Sequence, residues 1–115
     1  MNYNKTFVVN KEMGPTSAGT EMMLSFPNSF IVRKIWVVTR IAGVAATHMV
    51  KLQNAAGSTD YASITVGTTV ANSLLSATVD TASQVFTAGT VLRIQTVNNE
   101  STGKYTLYIA GAHAE

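Results

Sequence analysis

Apolar and polar side chains alternate twice between residues 90 and 111, TVLRIQTVNNESTGKYTLYIAG, with a polar stretch between the two runs. In the first run Leu92, Ile94 and Thr96 share one face, and Arg93 and Gln95 share the other. In the second, Tyr105, Leu107 and Ile109 lie opposite Thr106 and Tyr108. Side chains alternate sides along a strand, so each run predicts a β-strand with one apolar face. Residues 98–103, NNESTG, are rich in turn formers and predict the loop of an antiparallel pair. One such pair cannot bury its apolar face alone, so the rest of the chain must supply an opposing layer.

The remaining pattern supplies it. A strand is predicted over 6–10, and a loop over 11–19, where Gly14-Pro15 and Gly19 fall. Met22, Leu24 and Phe26 alternate with Met23 and Ser25, predicting a strand over 20–26 before the turn Pro27-Asn28-Ser29. The longest candidate is 30–41, FIVRKIWVVTRI, whose β-branched content argues against helix. Both of its faces are mixed: Ile31, Arg33, Ile35, Val37, Thr39 and Ile41 stand against Val32, Lys34, Trp36, Val38 and Arg40. A strand covered on both sides towards one end, or bent between two sheets, would read this way. Further strands are expected over 47–54, with Val50 and Leu52 inward and Lys51 and Gln53 outward, and over 61–66. A turn around Gly57 separates them. Residues 70–78 read as a bulged strand or a short helix, and 84–86 as a brief extended piece.

The sum is seven or eight short antiparallel strands with regular turn signals and no long helical period. The predicted fold class is all-β: a β-sandwich, jelly-roll-like, with an immunoglobulin-like sandwich as the alternative. Residues 1–5 are expected to form a flexible N-terminal arm, and 6–115 a single β-sandwich domain, as 115 residues suit one core.

Charge changes the picture because there is so little of it. Charged residues make up 12% of the chain, about half the usual share. Much of the surface is therefore Thr, Ser, Asn, Gln and apolar atoms, which suits burial under another protein or an ordinary Thr-rich domain. The net charge is +2, with Lys and Arg scattered. Arg33-Lys34 near Trp36 and Arg40 is the nearest approach to a basic stripe, and alternation splits it between faces, so no nucleic-acid partner is expected. No signal peptide or apolar run long enough for a spanning helix is read, and no membrane partner is expected. Cysteine is absent, which removes disulfides and thiolate metal sites.

No catalytic, cofactor-binding or metal residues are predicted. His48 shares a face with Val50 and Leu52 and reads as a core-edge or interface residue; His113 reads as a solvated tail residue. The acids Glu12, Glu21, Asp60, Asp80, Glu100 and Glu115 are dispersed singly, and no phosphate loop, nucleophile elbow or calcium loop occurs. Asn99-Glu100-Ser101 matches a glycosylation acceptor and reads as a turn. Trp36, Tyr105 and Tyr108 are strand aromatics, which read as core or subunit contact. If Trp36 and Tyr108 were exposed as a strip, a carbohydrate-binding module would be the alternative. An enzyme would require His48 and an acid to converge in a pocket.

Three stretches carry a resemblance: residues 50–57, VKLQNAAG; residues 86–94, FTAGTVLRI; and the closing YTLYI of 105–109. Together they resemble small bacteriophage virion proteins, in particular capsid decoration (cement) proteins, in texture and strand order over about residues 30 to 111. The resemblance implies a jelly-roll or related sandwich without enzymatic activity or cofactor. It implies a homo-oligomer, a trimer favoured, that binds the major capsid protein and stabilises the head by bridging capsid subunits. The location implied is the virion, assembled in the host cytoplasm. A tail or fibre component is the alternative within the same class.

Overall fold

The computed structural model describes residues 3–79 and 85–114. Among them are eight β-strands and no helix: β1 (Lys5–Met13), β2 (Gly19–Leu24), β3 (Phe30–Ile41), β4 (Met49–Asn54), β5 (Asp60–Thr65), β6 (Leu74–Thr78), β7 (Leu92–Val97) and β8 (Lys104–His113). They form two four-stranded sheets, ordered β1-β8-β3-β6 and β2-β7-β4-β5. Every pairing is antiparallel. Eight strands interleaved between two sheets in this order make a jelly roll, as the strand count predicts. The immunoglobulin-like alternative is set aside by that order.

The sequence-predicted pair over 90–111 is corrected. Both strands and both apolar faces are present, yet β7 and β8 lie in different sheets. Residues 98–103 arch across the sandwich, so Leu92 and Ile94 face Leu107 and Ile109 through the core instead of beside them. Periodicity reports which face is apolar and says nothing of which strand lies alongside. Of consecutive strands, β4 and β5 alone hydrogen-bond to each other.

The mixed faces of the long strand have a local cause. Its pairing with β8 shifts register between Val32 and Lys34, leaving Arg33 as an extra residue. A bulge reverses the in–out parity. Phe30 and Val32 therefore point inward together with Ile35, Val37 and Thr39, and all five are buried. Ile31, on the other face, is buried as well, so the strand is also covered on both sides at its N-terminal end, as one of the two expected explanations has it; no bend between sheets is needed. A shift between Leu52 and Gln53 lies in β5, where Tyr61 is the extra residue. The β4–β7 ladder is unbroken, so Gln53 stays opposite Arg93 on the outer face, as expected, and is buried there under its polar neighbours. There it donates to Asp60 and accepts from Arg93.

Other boundaries move by a few residues. β1 runs on through Met13, because Lys11, Glu12 and Met13 pair with Leu107, Thr106 and Tyr105, so the loop expected from residue 11 starts later. β2 stops at Leu24, short of Phe26. The ambiguous 70–78 resolves as a strand from Leu74. In the expected 84–86 piece, Gln84 lies outside the described residues, and Phe86 bridges to Phe30. The core is one cluster drawn from both sheets, with Phe30, Ile35, Leu52, Leu92, Ile94, Leu107 and Ile109 fully enclosed. Burying each such side chain stabilises the fold by roughly 1.5–3 kcal/mol, before the entropy of ordering the chain is set against it.

Candidate interaction surface

The ionisable groups come first, because they decide whether chemistry is available. His48 is completely buried, deeper than the core-edge or interface position expected of it. Its Nδ1 lies 2.7 Å from the Asn98 carbonyl oxygen, so that nitrogen carries the proton and donates. Its Nε2 is then the acceptor for the Tyr105 hydroxyl at 2.8 Å. Burial, with the charges of Glu21 and Glu100, raises the Tyr105 phenol above its ordinary range. His113 is not a loose tail residue: it ends β8 and stacks on Phe26 at 5.3 Å. Among the described residues no three His, Asp or Glu side chains gather as a metal site would require.

Glu100 is the acid whose role the sequence conceals. It sits in the β7–β8 arch and is only 3% exposed. Its carboxylate accepts from the backbone N–H groups of Val44, Ala45, Thr102 and Gly103 at 2.9–3.1 Å. The Gly103 amide foremost, with those of Ala45, Thr102 and Val44, outweighs the opposing effect of burial and holds the carboxyl down at about 2. Gly43 allows the close approach, since a Cβ there would run into the Glu100 carboxylate and the Gly67 carbonyl. The same arch pairs backbone with Thr16 through Glu100, receives the Ala18 amide on the Asn99 side chain, and reaches Thr47 through Asn98. One polar loop thus ties two others, those between β1 and β2 and between β3 and β4, at one end of the sandwich. This arrangement anchors chain and does not present a proton to a substrate.

The opposite kind of feature lies on the outer face of the β1-β8-β3-β6 sheet. Pairing sets its side chains in rows across the strands. One row runs Tyr108, Trp36, Ser76; the flanking rows run Ala110, Lys34, Thr78 and Thr106, Val38, Leu74. Trp36 and Tyr108 stack with centroids 5.2 Å apart and planes within 6°. They therefore belong to the surface, whereas Tyr105 belongs to the core. A groove of about 260 Å³ opens beside Trp36, lined by Lys34, Trp36, Leu74 and Ser76. Leu74 is 67% exposed, Val8 on β1 59% and Val70 beside β6 69%. Met23 on the other sheet and Val44 in the β3–β4 loop are comparably exposed, so what sets this face apart is the groove and the aromatic stack beside Leu74.

No protein family matches the sequence, and no curated protein matches it. Solved structures do. A chain in the acidic stable capsid structure of Helicobacter pylori bacteriophage KHP30 superposes with a TM-score of 0.55 at 12% identity, over 96% of this chain and 90% of that one. A chain in the cyanophage Pam1 capsid asymmetric unit superposes with a TM-score of 0.54 at 18% identity, over 95% of this chain and 85% of that one. At these identities the likeness is one of fold.

Proposed function

We propose that this chain is a non-enzymatic structural protein of a bacteriophage virion, a capsid decoration (cement) protein that stabilises the head by bridging capsid subunits. The observation that carries the reading is the near end-to-end fold likeness to chains of two phage capsid structures. The surface supports it: charge is sparse, and large apolar side chains such as Val8, Met23, Val44, Val70 and Leu74 are exposed. Few ions would have to shed water when such a face is covered. The buried ionisable groups that come together among the described residues, Glu100 and the His48–Tyr105 pair, are consumed in holding the arch. The partner in this reading is the major capsid protein, and the protein acts as a homo-oligomer, a trimer favoured.

The test mixes purified protein with capsids that lack it. Saturable binding together with a rise in capsid melting temperature is the expected result. Absence of both rejects the reading.

A further inference from the structure

Four strands lie at sheet edges: β1 and β6 in one sheet, β2 and β5 in the other. An open edge invites another strand, and proteins commonly guard edges with charge. β1 carries Lys5, Lys11 and Glu12, β2 carries Glu21, and β5 begins on Asp60. β6, with sequence LLSAT, carries no charge and no proline. It is the one unguarded edge among the described residues, and the Trp36 groove lies directly beside it.

We infer that β6 is an acceptor edge for an extended segment of a partner protein, added as a fifth antiparallel strand with one large apolar side chain seated against Trp36. Backbone bonds to the edge would supply affinity, and alternate side chains would supply specificity. Strands lie about 4.8 Å apart, so a residue opposite Ser76 starts about 10 Å from the Trp36 backbone. Ser76 is short, which leaves the way open for a long side chain to cross it and lie on the free face of the indole. The other face is already taken by Tyr108.

The neighbouring rows complete the pattern. Lys34 shares a row with Thr78, and no ion pair engages its ammonium among the described residues. Leu74 ends the opposite row. An added antiparallel strand therefore reads acid, any, large apolar, any, aliphatic from its N-terminal end, facing Thr78, Ser76 and Leu74 in turn. The groove, at about 260 Å³, falls below the roughly 300–1,000 Å³ of small-molecule sites and suits one side chain.

The probe is the capped peptide Thr-Glu-Thr-Phe-Thr-Val-Thr, with a partner in which Phe is replaced by Ser. Trp36 is the only tryptophan in the chain, so its emission reports the groove. The first peptide is expected to shift that emission and to move the amide signals of residues 74–78. The Ser peptide should bind at least tenfold more weakly. Lys34→Glu should reverse the preference in favour of a peptide carrying Lys at the acidic position. Ser76→Tyr, which fills the groove from an exposed position, should weaken binding at least tenfold while leaving the melting temperature of the free protein unchanged.

Three results overturn the inference. One is no change in Trp36 emission or in the 74–78 amides with any of these peptides at millimolar concentration. Another is self-association abolished by Ser76→Lys, which would give the edge to a second copy. The third is saturable quenching of Trp36 by oligosaccharides and not by peptides. Binding to capsids is measured separately, so loss of either reading leaves the other standing.

Discussion

Replacing Glu100 by glutamine keeps the shape of the side chain and removes one of its two acceptor oxygens. The four amides that converge there come from two loops, residues 44–45 and 102–103, and make no second hydrogen bond among the described residues. A buried donor left without its acceptor costs about 1–3 kcal/mol, so Glu100→Gln should lower the unfolding free energy by at least that much in urea at neutral pH. The carboxyl sits near its ordinary 4.5 in the unfolded chain and at about 2 in the folded one. Between those values the unfolded chain binds the extra proton, so stability falls as pH drops through the window. Above it the contribution is complete. Urea titrations from pH 6 to pH 2 should show this loss in the natural chain, and a shallower one in the Gln variant. Nothing in the sequence marks Glu100 for the role. Its partners are backbone amides, which every residue carries, and a lone acid in a polar loop reads as solvated. The glycine at position 43 was the one available hint, and its meaning depends on what lies opposite.

Strand existence was legible and strand partnership was not. Leu92, Ile94, Tyr105, Leu107 and Ile109 alternate as buried residues should, and β3 spans the residues its pattern indicates. Alternation is a local property of the backbone. Whether 98–103 folds back within a sheet or arches across two is settled by Glu100, Asn98 and Asn99 gripping residues far away in the chain. The β3 bulge was half legible, since faces that are both mixed signal a change of parity without locating it. That location makes a prediction. Deleting Arg33 removes the extra residue and forces either Phe30 and Val32, or Ile35, Val37 and Thr39, to the outer face. Displacing that much buried surface should cost more than about 4 kcal/mol, or abolish folding, by circular dichroism and urea unfolding. Arg33→Ala keeps the residue count and alters only an exposed side chain, so it should stay within about 0.5 kcal/mol of the parent. Equal effects from the two changes would mean that the bulge does not set the register.

At the scale of the molecule, the chain closes on itself. β8 lies between β1 and β3, and β7 lies between β2 and β4, so the two strands furthest along the described residues are central, one in each sheet. β1 pairs with β8 from Lys5↔His113 to Met13↔Tyr105, joining strands about a hundred residues apart. Neither sheet is complete until residues 92–113 are in place. Each of these pairings must close a long loop before its hydrogen bonds and buried area repay the lost entropy. Sandwiches dominated by such contacts fold in about milliseconds to seconds, orders of magnitude slower than helical bundles of similar size. Trp36 is placed to report the decisive step, because its stacking on Tyr108 exists only once β8 has docked on β3. Stopped-flow refolding monitored by tryptophan emission should therefore show its main change in that slow range, with a Tyr108→Ala variant reducing the amplitude. A complete emission change within the dead time would mean that β3 and β8 meet before the rest of the sandwich, and that the long-range closure argued here is not what limits folding.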